Sequence, residues 1–184
     1  FTSTLLGIDS YQRNPSVEAE EILRKNISLL PIPVKQIEQN GAILHIEVSP
    51  QGISFVSTSE DGTACLINFE SGESIFCVQS SGAVLDAAFS PDGSKLVISD
   101  ATGEVQILNA ETGEILKQID LGVSVRDVNI SPDGTLLAMA RDDARISLIK
   151  LSNYGFAGEF SVYGSLRVTT FSPDGEWFAA ASNL

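Results

Sequence analysis

An all-β fold of repeated four-stranded units, preceded by a helical segment, is what this sequence of 184 residues predicts. Three observations carry that reading. Ser49-Pro50-Gln51-Gly52 returns as Ser90-Pro91-Asp92-Gly93, Ser131-Pro132-Asp133-Gly134 and Ser172-Pro173-Asp174-Gly175, at intervals of 41, 41 and 41 residues. Each tetrapeptide stands between two short apolar runs, as a tight turn between strands does. Residues 1–40 lack the repeat and carry apolar residues at helical spacing instead. A period of ~40–45 residues is that of a propeller blade. The fold class is therefore a partial β-propeller of about three and a half four-stranded blades with an N-terminal helical segment. A β-sandwich is the weaker alternative, because sandwiches do not repeat a turn tetrapeptide at constant spacing.

The second unit shows the pattern most plainly. Val84 to Phe89 reads as a first strand, Lys95 to Ser99 as a second, Glu104 to Asn109 as a third and Glu114 to Ile119 as a fourth. In the turn after the first strand, Pro91 presets φ, Asp92 can accept from nearby backbone, and Gly93 accepts a positive φ. Unit one repeats the order with Ile43–Val48, Ile53–Thr58, Thr63–Phe69 and Ser74–Gln79. Unit three has Ser124–Ile130, Leu136–Ala140, Arg145–Leu151 and a poorer last strand near Phe160. Unit four offers Leu166–Phe171 and Trp177–Ala181. The units begin near 41, 82, 123 and 164, the last truncated, so the expected organisation is a helical linker over 1–40 and blades over 41–184.

Within the linker, Asn14-Pro15 marks a helix start. Ala19, Ile22, Leu23, Ile27 and Leu30 form one apolar face, and Pro31 and Pro33 end the helix. Glu18, Glu20 and Glu21 early and Arg24 and Lys25 late agree with the helix dipole. The expectation is a helix over Ser16–Leu30.

Charge narrows the function classes. The formal net charge is −13, from 11 Lys and Arg against 24 Asp and Glu. Most of it falls in the repeats, and a surface this acidic repels phosphate, which argues against nucleic acid and against anionic membranes as partners. No run approaches the ~18 apolar residues of a membrane span, and no secretory signal is legible. Cys65 and Cys77 flank a hairpin turn and are near cross-strand neighbours. Two cysteines make no disulfide framework, so the default is a reduced cytoplasmic protein with free thiols.

At Val84-Leu85-Asp86-Ala87-Ala88-Phe89-Ser90-Pro91-Asp92-Gly93 and Asp61-Gly62-Thr63-Ala64-Cys65-Leu66-Ile67-Asn68, the chain resembles the WD-repeat propellers, over about residues 41–184. The Trp-Asp dipeptide of that family is replaced by Ile67-Asn68, Leu108-Asn109 and Ile149-Lys150, and its Gly-His is missing. The family's His–Asp–Ser–Trp network is accordingly expected to be absent. Residues Leu5 to Pro15 and Glu18 to Lys25 are similar to the helical segment that joins nucleotide-hydrolysing switch (STAND), TIR or caspase-like domains to propellers in large bacterial signalling proteins. The resemblance implies a non-catalytic scaffold or sensor that binds a protein partner.

The candidate chemistry is sparse. His45 is the single histidine and reads as a structural residue in an alternating strand, without the partners of a metal site or a triad. Asp61, Asp100, Asp142 and Asp143 lie in turns without the spacing of a calcium loop. No cofactor and no metal are expected. Glu70, Glu73, Asp92, Glu111, Glu114, Asp133 and Asp174 fall in turns at one end of the units, with Trp177 beside the last. They are the candidate partner-binding residues. Turn chemistry and solubility are the plainer explanation; an acidic ring that steers a basic partner is the functional one. Two alternative functions remain: a propeller that gates a hydrolase or peptidase, and a structural half-propeller that self-assembles. In either case the remaining blades, of the same protein or of another copy, are expected partners, since closed propellers have about 4–8 blades.

Overall fold

The computed structural model describes residues 37–183. The helix expected over Ser16–Leu30 lies outside the described residues. The chain divides into two units, Phe1–Gln36 and Ile37–Leu184, and the second is an all-β body.

Among the described residues there are four antiparallel sheets. β1 (Ile43–Val48), β2 (Ser54–Ser59), β3 (Thr63–Asn68) and β4 (Ser74–Gln79) form the first, in the order β1-β2-β3-β4. β5 (Val84–Phe89), β6 (Lys95–Asp100), β7 (Glu104–Asn109) and β8 (Ile115–Asp120) form the second in the same order. β9 (Val125–Ile130), β10 (Leu136–Arg141), β11 (Arg145–Lys150) and β12 (Phe156–Ser161) form the third, and β13 (Ser165–Phe171) pairs with β14 (Phe178–Asn183) in a two-stranded fourth. The weak strand expected near Phe160 is a full strand. Trp177, expected to open a strand, stands one residue before β14.

The repeated tetrapeptide builds the same turn four times. In the second blade Gly93 N–H donates to the Ser90 carbonyl at 2.7 Å, while the Ser90 hydroxyl accepts from Lys95 N–H at 2.9 Å. Asp92 Oδ1 then accepts from the Ser90 hydroxyl at 2.6 Å and from Ser94 N–H at 3.0 Å. The third blade copies this through Ser131, Asp133 and Gly134, and the fourth through Ser172, Asp174 and Gly175. Gly52, Gly93, Gly134 and Gly175 have φ of 71°, 71°, 70° and 73°, a conformation that glycine adopts without a Cβ penalty.

Consecutive sheets pack face to face. Val56, Ala64 and Leu66 of the first blade meet Val84, Ala87, Phe89, Leu96, Ile98 and Leu108 of the second. Val97, Val105 and Ile107 meet Val125, Val128, Ile130, Leu137 and Met139 of the third. Ala138, Ala140 and Ile146 meet Leu166 of the fourth. Alternation along each strand sends one set of side chains to the preceding blade and the other to the following one. The first blade shows the consequence: Ile43, Ile46 and Val48, 41 residues before Val84, Ala87 and Phe89, are 43%, 58% and 51% exposed, whereas their counterparts are 0%, 3% and 7% exposed.

The free thiols expected at Cys65 and Cys77 are a correction: the two form a disulfide. They sit directly opposite each other on β3 and β4, with Cα atoms 4.1 Å apart. The register of the hairpin makes them cross-strand partners, and composition had no means to show that.

Candidate functional site

In a four-stranded meander, the turn between the first two strands and the turn between the last two lie at one end. The inter-blade contacts place that end of every blade together. Gln51, which replaces the usual Asp, donates from Nε2 to the Asp92 carbonyl of the next blade at 3.0 Å. A Cβ on Gly134 would stand 3.7 Å from Pro91, and one on Gly175 would stand 3.8 Å from Pro132. Glu70, Glu73, Asp92, Glu111, Glu114, Asp133, Asp174 and Trp177 are all exposed there. Their turns also hold Glu176 and contain no Lys or Arg.

These carboxylates divide into two kinds. Asp92, Asp133 and Asp174 are bound into their own turns. The hydroxyl of Ser90, with the Ser94 N–H and hydroxyl, pulls the Asp92 carboxyl down to about 2. Ser131 and Ser172 lower Asp133 and Asp174 in the same way. Their first role is turn geometry, and they stay charged while they serve it. The hydrogen bonds of the other turns come from Asn instead: Asn68 Oδ1 accepts from Glu70 N–H and Ser71 N–H, and Asn109 Oδ1 from Glu111 N–H and Thr112 N–H. The Glu70, Glu73, Glu111 and Glu114 side chains are thus left to solvent. Trp177 is 74% exposed, on the side of β14 away from the third blade, where Ala179 also points.

A second cluster lies on the inner strands. His45, Asp86 and Asp127 occupy one repeat position, 41 residues apart. In each blade a register shift just before this position inserts an extra residue and re-aims the side chain. Asp86 Oδ2 accepts from Val128 N–H at 2.8 Å, and Asp127 Oδ2 from Thr169 N–H at 2.8 Å and from the Thr169 hydroxyl. Each carboxyl thus clips its blade to the next one. Glu47 reaches Phe89 N–H only at 3.5 Å, and His45 Nδ1 stands 3.1 Å from Asp86 Oδ1. Burial pushes the Asp86 carboxyl up to about 7 against the Val128 N–H, and that of Glu47 up to about 7 against the Phe89 N–H. Burial raises Asp127 as well, and it lowers His45 despite the Asp127 charge. The cluster joins His45 to Glu47, Asp86 and Asp127, for which the sequence reading gave no role. The visible signal was a polar residue recurring at one register position of otherwise apolar strands. Asp86 and Asp127 spend their hydrogen bonds between blades, which makes them positioning groups. Among the described residues, no group of three or more His, Cys, Asp or Glu is placed to hold a metal ion.

A family model, the WD40 domain of anaphase-promoting complex subunit 4, matches residues 74–124. Among curated proteins none matches the sequence. Kuenenia stuttgartiensis hydrazine synthase superposes with a TM-score of 0.73 at 19% identity, over 83% of this chain and 46% of its own. U3-55K and the WD40 repeats of RRP9 each superpose with a TM-score of 0.70 at 16% identity, over 73% of this chain and 44% and 43% of theirs.

The fold is part of a β-propeller, similar to those of WD40 repeats.

The chain spans less than half the length of these structures, and at such identities the likeness concerns fold alone. Within the fold, Asp100 ties the connection from the preceding blade to its own turn. Its carboxylate accepts from the Ser80 hydroxyl, from Gly82 N–H and from Thr102, Gly103 and Glu104 N–H, all at 2.8 or 2.9 Å. Burial acts to raise its carboxyl, but the hydrogen bonds from Thr102, Glu104 and Ser80 outweigh it and hold the group below the ordinary carboxylate value. At this opposite end the third blade pairs its charges, Arg126 with Asp142, and Arg141 and Arg145 with Asp143 and Glu159.

Proposed function

We propose that this chain is a non-enzymatic protein-interaction scaffold or sensor within a larger bacterial signalling protein, and that its acidic end receives a basic segment of a partner protein. The observation that carries the reading is the set of glutamates that project from the paired turns of the first two blades. At one end Glu70, Glu73, Glu111 and Glu114 project without side-chain partners among turns that hold no cation. At the other, the third blade pairs Arg126, Arg141 and Arg145 with Asp142, Asp143 and Glu159, while Asp61 and Asp100 are bound into their own turns. A patch of one sign raises the local concentration of an oppositely charged partner and its on-rate, and salt screens the effect. WD40 propellers generally bind protein partners. The similarity of Leu5 to Pro15 and Glu18 to Lys25 to linkers of signalling proteins supports the larger context.

Replacing Glu70, Glu111 and Glu114 together by Lys tests the site while leaving the Asp92 and Asp133 turns whole. A fluorescein-labelled peptide of alternating Lys and Gly should bind the unaltered chain at low ionic strength, and at least tenfold more weakly in the triple variant. Equal binding by both proteins overturns the reading.

The exposed Ile43, Ile46 and Val48 on the first sheet, and the two-stranded β13–β14 sheet, support a further part of the proposal. Additional blades, from the same protein or another copy, cover them. A row of unpaired strand groups is a ready template for another chain. Light scattering of the 184-residue chain should give a mass above the monomer; a stable monomer at micromolar concentration counts against assembly between copies.

A further inference from the structure

At the acidic end, a groove of about 350 Å³ opens between the first and second blades. Leu66, Phe89 and Ala110 form its floor and are 3%, 7% and 7% exposed. Ile53 and Ile75 form its walls and are 64% and 48% exposed. Glu111 stands on its rim, and no Lys or Arg lines it.

The repeat shows why the groove is there. Phe69, Ala110 and Leu151 are one position in three blades, each donating its N–H to residue 53, 94 or 135 of its own sheet. Leu151 is 4% exposed and fills the junction between the second and third blades. Ala110 is three carbons smaller and leaves the equivalent space open. The wall residue Ile53 corresponds to Ser94, Thr135 and Glu176, so the first blade alone places an apolar side chain at this spot. A small floor residue and an apolar wall thus coincide at one junction of the repeat, and neither is needed by the turn chemistry that all four units share.

We propose that this groove is a pocket for a leucine- or phenylalanine-sized side chain of a partner peptide whose flanking residues are Lys or Arg. The occupant follows from the chemistry of the surroundings. The volume is near the low end of the ~300–1,000 Å³ of ligand pockets, which suits one or two apolar side chains. Glu70 and Glu73 in the adjoining turn of the first blade, with Glu111 and Glu114 in that of the second, set four negative charges beside it. An apolar anchor gives such a complex its slow dissociation, and the surrounding charges its fast association. The inference rests on the reading of the acidic end as a partner surface and adds the part of the partner it reads.

The repeat also supplies the variants. Ala110→Leu installs the side chain that the third blade already carries there, and Ile53→Ser installs that of the second. The probes are two labelled peptides, Gly-Lys-Arg-Leu-Phe-Arg-Lys-Gly and the same peptide with Ser-Ser in place of Leu-Phe. Fluorescence anisotropy should show the first binding the unaltered chain at least tenfold more tightly than the second. That preference should vanish in Ala110→Leu and shrink at least threefold in Ile53→Ser, with circular dichroism unchanged. Equal affinity of the unaltered chain for the two peptides, or an undiminished preference in both variants, overturns the pocket. In the second case, if Lys at positions 70, 111 and 114 still weakens both peptides, the acidic end survives as a surface and the groove alone is removed. If that change has no effect either, both readings fall together.

Discussion

The junction between the first and second blades and the junction between the second and third are built from the same repeat and end differently. In the second, Leu151 closes the outer space, Met139 and Leu137 are fully buried, and Asp86 clips β5 to β9 through Val128 N–H at 2.8 Å. In the first, Ala110 leaves a groove, Ile53 and Ile75 stay in solvent, and His45 stands where the second blade has Asp86, so the carboxylate clip is replaced and Glu47, two residues on, reaches Phe89 N–H only at 3.5 Å. One backbone pattern thus gives a packed joint and an open one. The difference teaches that the repeat fixes where blades meet, while a few departures from it decide whether a meeting place is core or surface.

The strongest way to break the contrast is to make the closed junction resemble the open one. Leu151→Ala removes a buried leucine side chain and should cost about 2–5 kcal/mol, because partial collapse does not fill the cavity. The reciprocal Ala110→Leu should change stability by less than about 1.5 kcal/mol in either direction. Urea unfolding of both proteins measures this. Similar losses in the two would mean that the junctions are not equivalent sites of one repeat.

The next largest effect lies in the clips. Asp86→Ala leaves Val128 N–H without its acceptor and should cost about 1–3 kcal/mol at pH 5. Asp86→Asn keeps an acceptor and loses the charge. The Asp86 carboxyl rises from 3.8 to about 7 in the fold, so the folded chain holds a proton that the unfolded chain releases. Stability from this group is full below pH 4 and is lost as pH rises through 7. At about 1.4 kcal/mol per tenfold change in proton affinity, that loss is bounded at about 4 kcal/mol. Glu47, raised from 4.5 to about 7, acts in the same direction, and His45, lowered from 6.5, acts in the opposite one as pH falls. Melting temperature should therefore fall from pH 5 to pH 8 with a shallower slope in Asp86→Asn. An unchanged slope would show that Asp86 does not carry the dependence.

Much of this architecture was legible before any coordinates. Pro, Asp and Gly at fixed offsets dictate a turn through local chemistry, so four equal turns and the strands beside them followed from residues such as Asp92 and Gly93. The acidic end followed too, because the topology of a meander gathers alternate turns. The groove did not. Ala110 is one small residue among many, and its meaning depends on Leu66 and Phe89 coming from different strands to surround it. The clips were hidden for a similar reason. Asp86 was visible at 41 residues from His45, but its partner Val128 N–H lies 42 residues onward, across a packing interface. Cys65 and Cys77 were legible as neighbours. Their exact opposition depends on the pairing of Thr63 with Gln79, which no composition rule supplies.

The clips also set a timetable for the growing chain. Asp86 and Asp127 each find their donor 42 residues downstream, so neither can close until the first strand of the following blade has left the ribosome. At about 5–20 residues per second of synthesis, each blade spends roughly 2–8 s with its inner carboxyl waiting in water before its neighbour arrives to take it.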